Sequence, residues 1–377
     1  MKICIISYMF PGAHDSSSFA FVKQLVDAFA ELGHHCFVLT PFNITRYRRL
    51  SRSREEYRKG RGKVTIYRPG YISFSNLHFG KFQVSAWFHK KAMTKAFRML
   101  EERPDIVYGH FWSSGLDGYD YARKNQIPLF VATGESEIKR MFRLSSEVSD
   151  FTNYVSGVIC VSSKNRDESI ALGLTTPNKC IVLPNAINPV LFRRIDKQQC
   201  REKLGFPNEV FIVVFVGWFN ERKGSERLAE AIKRIKGRAV YSIFIGSGEK
   251  EPTCDNILFK GILPHDQVPF YLNAADVFVL PTLHEGCCNA VVEAMACGLP
   301  IVSSNRPFNW DVLDASNSIL IDPNNIDEIS SAIGCLRDDP IKCRSLSNGA
   351  INKSRELSIN RRAESILSFI NEKTTSK

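Results

Sequence analysis

This sequence of 377 residues lacks any apolar run long enough to cross a bilayer, which takes about 20 consecutive apolar residues. Its longest run, VFIVVFVGWF at 210–219, has roughly half that length. The first residues, MKICIISYMF, are interrupted by Pro11 too early for a secretory signal peptide and predict a buried strand. We therefore expect a cytoplasmic protein without a membrane-spanning helix.

Several cofactor signatures are also missing. No GxGxxG follows the first predicted strand, which disfavours a nicotinamide enzyme, and there is no P-loop. The eleven cysteines contain no CxxC pair, and Cys4, Cys36 and Cys160 lie inside apolar strand patterns. These features predict reduced cysteines that fill the interior rather than zinc ligands or a redox pair.

Acidic residues are in short supply, since the formal net charge is +11. The segment 46–63 holds nine basic residues against two acidic ones, and the aromatic-rich segment 71–91 follows it. Two interpretations stay open: attachment to an anionic membrane surface, or an ordinary solvated loop. Nucleic acid is a weaker candidate, and we expect it not to be a partner.

What is present is a repeated alternation of apolar strands and amphipathic helices, which predicts parallel sheets covered by helices. The alternation restarts after LPNAINPVLF, at 183–192. The sequence thus predicts an α/β protein of two Rossmann-like domains, 1–187 and 188–357, with a C-terminal helix at 358–377 that packs back on the first domain. Ligands of such sheets bind at the carboxyl ends of the strands, and the cleft between two domains is the expected site.

The stretch HEGCCNAVVEAMACG, at 284–298, places Glu285 and Glu293 eight positions apart. Glu285 follows the predicted strand DVFVLPT, and Glu293 lies within a helix that ends near Gly298. The start of that helix offers free N–H groups to a phosphate. One carboxylate on each side of a phosphate site suits a nucleotide-sugar, which has hydroxyl groups at both ends.

This stretch resembles the E-x7-E signature of glycosyltransferase family 4, whose members transfer sugars with retention and have the GT-B fold, two Rossmann-like domains facing each other across a cleft. The similarity continues through PDIVYGH, GVICVSSKNRDESIALG, VLPNAINPVLF, FVGWFNERKG and ADVFVLPT. It implies that Glu285 holds the donor sugar, Glu293 the ribose and Lys223 the diphosphate, with His110 near the sugar. The remaining implied donor-site positions are Ile262 for the base and Gly286, Cys287, Cys288, Asn289, Gly217, Trp218, Arg222, Ser16 and Ser17 around the sugar and phosphates.

Three departures from the family pattern concern this site. Trp218 stands where an arginine is common, so Arg222 becomes the candidate replacement. Serines occupy 16–18, where the family has a glycine pair, and TGESE at 133–137 lacks the family's histidine. No D-x-D pair follows a strand, so we expect no cofactor and no essential metal.

The resemblance implies a glycosyltransferase of cell-surface polysaccharide, lipopolysaccharide or capsule synthesis. Its donor would be a nucleotide-diphospho-sugar and its acceptor lipid-linked or an oligosaccharide, handled at the inner face of the cell membrane. Two alternatives remain: a catalytically weak, binding-only relative, and a sugar-nucleotide epimerase.

Overall fold

A computed structural model of the chain describes residues 1–12, 19–47, 53–74, 78–79, 82–138, 148–237 and 239–375. The chain forms two compact units. The first comprises 1–161, 165–183 and 363–377, and the second comprises 162–164 and 184–362. The sequence prediction places the division at 187/188 and begins the returning C-terminal segment at 358.

The first unit is built on an eight-stranded sheet in the order β12-β11-β10-β9-β1-β2-β5-β4. Its neighbours pair in parallel, apart from the antiparallel edge pair β4 and β5. Its strands are β1 (Lys2–Ile6), β2 (His35–Leu39), β4 (Arg54–Lys59), β5 (Gly62–Tyr67), β9 (Ile106–His110), β10 (Leu129–Thr133), β11 (Gly157–Cys160) and β12 (Cys180–Val182). Two small sheets contain β3 (Phe42–Asn43) with β6 (Gly70–Tyr71), and β7 (His78–Phe79) with β8 (Phe82–Gln83).

Helices flank this sheet, and several of them bury apolar side chains along one face. They are α1 (Ala20–Glu31), α2 (Ile44–Tyr47), α3 (Val84–Arg98), α4 (Trp112–Lys124), α5 (Val148–Tyr154), α6 (Ser163–Ala171), a 3-10 turn (Pro177–Lys179) and α13 (Ile359–Thr375). Phe369 of α13 packs edge-on against Phe130 of β10, with ring centroids 6.3 Å apart. The C-terminal helix therefore contributes to the core of the first unit.

Residues 54–59 and 62–63 of the segment 46–63 lie in strands rather than in a loop. Residues 54–67 form the β4–β5 hairpin at the edge of the sheet. Arg54 lies 2.9 Å from both Glu56 and Glu101, and Lys63 lies 2.9 Å from Glu56. Acidic partners thus offset part of the positive charge that the composition of this segment suggests.

Four further arginines of that segment cannot be assigned contacts. Arg48, Arg49 and Arg52 lie outside the described residues, and so does the side chain of Arg46. Their part in surface attachment stays a prediction.

The second unit contains a six-stranded parallel sheet in the order β15-β14-β13-β16-β17-β18. The strands are β13 (Phe211–Val216), β14 (Val240–Ile245), β15 (Ile257–Gly261), β16 (Val277–Leu280), β17 (Ile301–Ser304) and β18 (Ser318–Ile321). The helices are α7 (Lys197–Leu204), α8 (Ser225–Arg234), α9 (Val268–Ala274), α10 (Asn289–Ala296), α11 (Ile326–Asp338) and α12 (Pro340–Ser354). The predicted two-domain α/β class is confirmed.

This strand order has a reversal of winding between β13 and β16, because β14 and β15 extend to one side and β17 and β18 to the other. Loops leave such a switch point in opposite directions and open a crevice at the carboxyl ends of the strands. The first unit has its own switch point between β1 and β9. Each switch point is where a ligand site is expected.

All eleven cysteines are free, and seven are buried. In the described part of the chain, no helix is both long and apolar enough to span a membrane.

Candidate active site

The loops after β13 and β16 carry the charged groups of the second unit's switch point. Lys223 ends a tight turn after β13 in which its N–H donates to Asn220 Oδ1 at 2.9 Å. Glu285 lies in the loop after β16, between Leu280 and α10. The Nζ of Lys223 and Oε1 of Glu285 are 2.7 Å apart, and each residue is only 8% exposed. The structure thus joins two residues that are 62 positions apart in the sequence, 285 − 223.

Glu285 Oε1 has two further donors. Arg222 Nη1 lies 2.6 Å from it, and Thr282 Oγ1 donates at 2.9 Å. Arg222 also donates to the carbonyl of His284 at 2.8 Å. One carboxylate oxygen therefore has two cations and a hydroxyl as partners, which fixes the orientation of the carboxyl group.

The charge state of Lys223 follows from its surroundings. Burial acts to lower its pKa, but Cys288 and Glu285 act to raise it, and the net pKa lies above the usual lysine value. Burial raises the pKa of the Cys288 thiol. Lys223 is accordingly a cation held against Glu285, with Cys288 Sγ 3.5 Å from its Nζ. A buried cation at a ligand site suits an anionic ligand.

Glycines let the loops after β13 and β14 approach each other closely. A Cβ on Gly246, whose φ is +150°, would lie 1.9 Å from the Gly217 carbonyl oxygen. Any side chain at 246 would push these loops apart. Trp218 follows Gly217 and is 64% exposed.

The start of α10 borders the same crevice. Its N-cap, Cys288, provides no side-chain hydrogen bond to the helix. Gly286, Cys287 and Cys288 are buried, and Asn185 Nδ2 holds the Cys287 carbonyl at 2.8 Å. The buried Oδ1 of Asn289 has no hydrogen-bond partner within the described residues. Free N–H groups at a helix start bind phosphate well.

Glu293 lies in α10 and pairs with a histidine that the sequence analysis did not identify. The Nε2 of His265 is 3.0 Å from Oε1 of Glu293. Burial acts to lower the pKa of His265, but Glu293 and Asp266 together outweigh it, so the net pKa lies above the usual value. Ile262, the candidate for the base, is 73% exposed after β15. No motif marks His265, because a lone histidine in a loop carries no spacing signal.

The first unit places His110 at the carboxyl end of β9, beside its own switch point. His110 is buried, with its ring 5.3 Å from that of Phe21 and 4.8 Å from that of Phe111. Phe111 has a φ of +79° and Phe19 a φ of +57°, and their rings meet edge-on at 5.9 Å. Such backbone costs about 1–3 kcal/mol per residue and is concentrated at functional sites.

Glu135, within the segment that lacks the family's histidine, caps the start of α4. Its carboxylate accepts from the Trp112 N–H at 2.8 Å, the Thr133 hydroxyl at 2.7 Å and the Gly134 N–H at 2.9 Å. Burial raises its pKa. The carboxylate therefore fixes the loop that follows His110, a role that the sequence did not suggest.

The structure brings Lys223, Arg222, Glu285 and Cys288 into one contact set and places Glu293 further along α10, on His265. Ser16 and Ser17 lie outside the described residues. No group of three or more His, Cys, Asp or Glu side chains suited to a metal ion occurs in the described part of the chain. Metal independence stays a prediction.

Comparison with known proteins agrees with this architecture. Residues 20–191 match the profile described as Glycosyltransferase Family 4, and residues 196–353 match that of Glycosyl transferases group 1. A putative teichuronic acid biosynthesis glycosyltransferase, TuaC, from Bacillus subtilis (strain 168) is 26% identical over 356 residues, 88% of each chain. The UDP-Gal:alpha-D-GlcNAc-diphosphoundecaprenol alpha-1,3-galactosyltransferase of Escherichia coli is 28% identical over 275 residues, 67% of this chain and 71% of that protein.

Two solved structures show the fold. Sucrose-phosphate synthase (tll1590) from Thermosynechococcus elongatus superposes with a TM-score of 0.80 at 18% identity, covering 100% of both chains. Anabaena Alr3699/HepE, in complex with UDP and glucose, superposes with a TM-score of 0.73 at 16% identity, covering 99% of this chain and 100% of that one. Fold and site together define a two-domain glycosyltransferase of the GT-B type. The chain belongs to glycosyltransferase family 4.

Proposed function

We propose that this enzyme transfers a sugar, with retention, from a nucleotide-diphospho-sugar to a lipid-linked or oligosaccharide acceptor. The observation that carries the proposal is the buried pair of Lys223 and Glu285 beside the start of α10. The process served would be synthesis of a cell-surface polysaccharide or glycolipid, such as lipopolysaccharide or capsule. Relatives named for teichuronic acid synthesis and for a diphosphoundecaprenol acceptor support this class of product.

The leaving group explains the cations. Breaking the anomeric bond leaves extra negative charge on the nucleotide diphosphate. Lys223 and Arg222, together with the free N–H groups of α10, would face that charge. Because such groups are already oriented, they stabilise the developing charge without reorganising, an effect commonly worth several kcal/mol.

Glu285 has a binding role in this proposal. Three protein donors contact its Oε1, and Oε2, which has no hydrogen bond within the described residues, would accept from sugar hydroxyls. Retention would occur through departure and attack on the same face of the sugar, so no protein nucleophile is required. His110 would contact the sugar, and Glu293 would accept from the ribose. Trp218 and Ile262 would border the nucleotide, and UDP is the first donor nucleotide to test, given the neighbours' names.

The test is release of nucleotide from a panel of UDP-, GDP- and ADP-sugars by the purified enzyme, with acceptor extracts or soluble acceptor analogues. NMR of the product reports the anomeric configuration. Glu285→Ala should mainly lower turnover, whereas Glu293→Ala should mainly weaken nucleotide binding. Unchanged turnover and affinity in both variants would refute the site. Activity abolished by a chelator and restored by magnesium or manganese would refute metal independence.

A binding-only protein is the competing function, and exposed Trp218 in place of the expected arginine favours it. Nucleotide binding without release of nucleotide or formation of product would establish it. Interconversion of nucleotide-sugars without an acceptor would instead indicate an epimerase.

We further propose that the enzyme binds reversibly to the inner membrane face through α3 and its neighbours. The sequence of α3 contains no acidic residue. Its exposed face displays Trp87, Lys91, Lys95 and Arg98, and the Lys91 ammonium lies 3.6 Å above the Trp87 ring. Basic residues and interfacial aromatics together suit anionic lipid headgroups.

Sedimentation with anionic and neutral vesicles tests this surface. Exposed Ile72 and Phe74 lie near α3, since the Phe74 and Phe88 rings are 5.9 Å apart. Reversing Lys91, Lys95 and Arg98 to glutamate should release the enzyme from anionic vesicles. The matched control reverses three hairpin residues, Arg58, Lys59 and Arg61, and should bind more strongly than the α3 variant. A third variant reverses Arg46, Arg48, Arg49 and Arg52. Equal binding of the wild type to both vesicle types, or none, would refute membrane docking.

A further inference from the structure

We propose that His265 is a positioning residue: it holds one oxygen of the Glu293 carboxylate so that the other faces the ribose of the donor nucleotide. This inference rests on the proposed function, because it presumes that Glu293 binds the ribose. His265 lies in the loop between β15 and α9, and Glu293 lies in the middle of α10. This hydrogen bond therefore joins two elements that follow different strands of the sheet.

The geometry leaves one carboxylate oxygen available. Oε1 of Glu293 lies 3.0 Å from Nε2 of His265. Within the described residues, the structure gives Oε2 no hydrogen bond, and it is not among the fully buried polar atoms that lack a partner. A carboxylate restrained through one oxygen presents the other in a defined direction, which reduces the entropy lost when a ligand hydroxyl binds.

The histidine itself is held in place. The ring of Phe192 packs edge-on against it, with centroids 5.1 Å apart. The side chain of His265 is 30% exposed and that of Glu293 is 14% exposed, so the pair is partly shielded from water. A shielded, charge-assisted hydrogen bond is stronger than one on the surface.

The charged groups around His265 favour its protonated form. Glu293 of α10 and Asp266 of the same loop both act to raise its pKa, against burial, which lowers it most. Phe192, which precedes α7, packs against His265 and carries no charge. The end of α10 places the Cys297 thiol beside Glu293, and burial raises the pKa of this thiol. The net pKa of His265 lies above the usual value. As pH rises through this pKa, the cation is lost and Glu293 is held less firmly.

Nucleotide binding should therefore weaken as pH increases. The KM for the donor, and the Kd for the free nucleotide, should rise several-fold across the titration of His265, while kcat changes less than twofold once corrected for the acceptor's own pH dependence. His265→Ala should raise KM and Kd about tenfold at the acid end, since hydrogen bonds to charged groups are the stronger class. His265→Gln keeps a neutral donor near Nε2 and does not titrate, so its Kd should be independent of pH and match the wild-type value at the basic end of the series.

The experiment is isothermal titration of UDP, GDP and ADP at a series of pH values, with donor kinetics alongside. The variants are His265→Ala, His265→Gln, Glu293→Ala and, as a matched control, Asp266→Asn. The control removes the adjacent exposed charge and should keep the wild-type Kd at acid pH. A wild-type Kd and pH profile in His265→Ala, with a raised Kd in Glu293→Ala, would overturn the positioning role alone. An unchanged Kd in Glu293→Ala, or no nucleotide binding by the wild type, would instead overturn the proposed function.

Discussion

Removing Lys223 should separate the two tasks of this residue, orienting Glu285 and stabilising the departing diphosphate. Two unit charges 2.7 Å apart attract each other by about 6 kcal/mol at an effective dielectric constant of about 20, before the cost of burial is subtracted. Losing one partner of a buried pair typically costs about 3–5 kcal/mol. Arg222 and Thr282 stay bonded to the same oxygen, so we expect the lower end of that range for stability.

The Lys223→Ala variant should stay folded, and its main defect should be a lower kcat. Lys223→Ala should reduce kcat by roughly 10²-fold, the loss usual for one preorganised electrostatic group. Arg222→Ala should cost less, because its side chain is 35% exposed whereas that of Lys223 is 10% exposed. Thermal unfolding establishes that each variant is folded, and release of nucleotide from a donor sugar measures kcat.

A double variant distinguishes the two tasks. If Lys223 acted only by orienting Glu285, then Lys223→Ala combined with Glu285→Ala would be no slower than Glu285→Ala alone. Direct stabilisation of the diphosphate predicts a further loss in the double variant. A folded Lys223→Ala protein whose turnover is within threefold of the wild type would refute the leaving-group role altogether.

Two further predictions concern stability. Gly246→Ala should strongly destabilise the second unit, because its Cβ would lie 1.9 Å from the Gly217 carbonyl oxygen. The control is Gly205→Ala, where φ is +68° and the space around the Cβ is open, so the loss of stability should be only about 1–2 kcal/mol. Thermal unfolding measures both. Burial raises the pKa of Asp117 to about 7, and burial lowers that of His89, its neighbour at 3.6 Å. Because the folded-state pKa of Asp117 exceeds the unfolded value, folding loses stability as pH rises from about 4 to about 7. Asp117→Asn should therefore raise Tm at pH 8 and not at pH 4, and an equal change at both would contradict this account.

The regular part of the fold could be predicted because its signal is local. Strands such as Ile106–His110 and Val277–Leu280 are short apolar runs, each followed by a helix with an apolar stripe. The alternation alone then implies parallel sheets, since each crossover returns the chain to the same edge. This reasoning did not predict the β4–β5 hairpin, at 54–67. Its outer strand, REEYRK, is charged because it lies at an exposed edge, and composition cannot distinguish such a strand from a loop.

The sequence indicates those candidate-site residues that lie within a stretch resembling a family motif. Glu285 and Glu293 lie in one, and so does Lys223. The partner of Glu293 does not: His265 reaches it through a tertiary contact that no spacing encodes. In the first unit, Glu135 contacts the start of α4 in the same way. A carboxylate that follows a strand in the sequence indicates a ligand-site residue. The side chain that orients this carboxylate is identified only when the fold is known.

The same distinction bears on the arginine that the family pattern leads one to expect at Trp218. Gly217 and Gly246 bring the loops after β13 and β14 into close approach, and Trp218, the next residue, is 64% exposed. The chain then turns at Gly224, whose φ is +79°, and the two residues before it, Arg222 and Lys223, both reach Glu285. Positive charge at the switch point thus comes from the end of the turn rather than its beginning. Because Arg222 lies within 2.6 Å of Glu285, a substitution at 218 changes the surface that borders the ligand but leaves both of these cations in place.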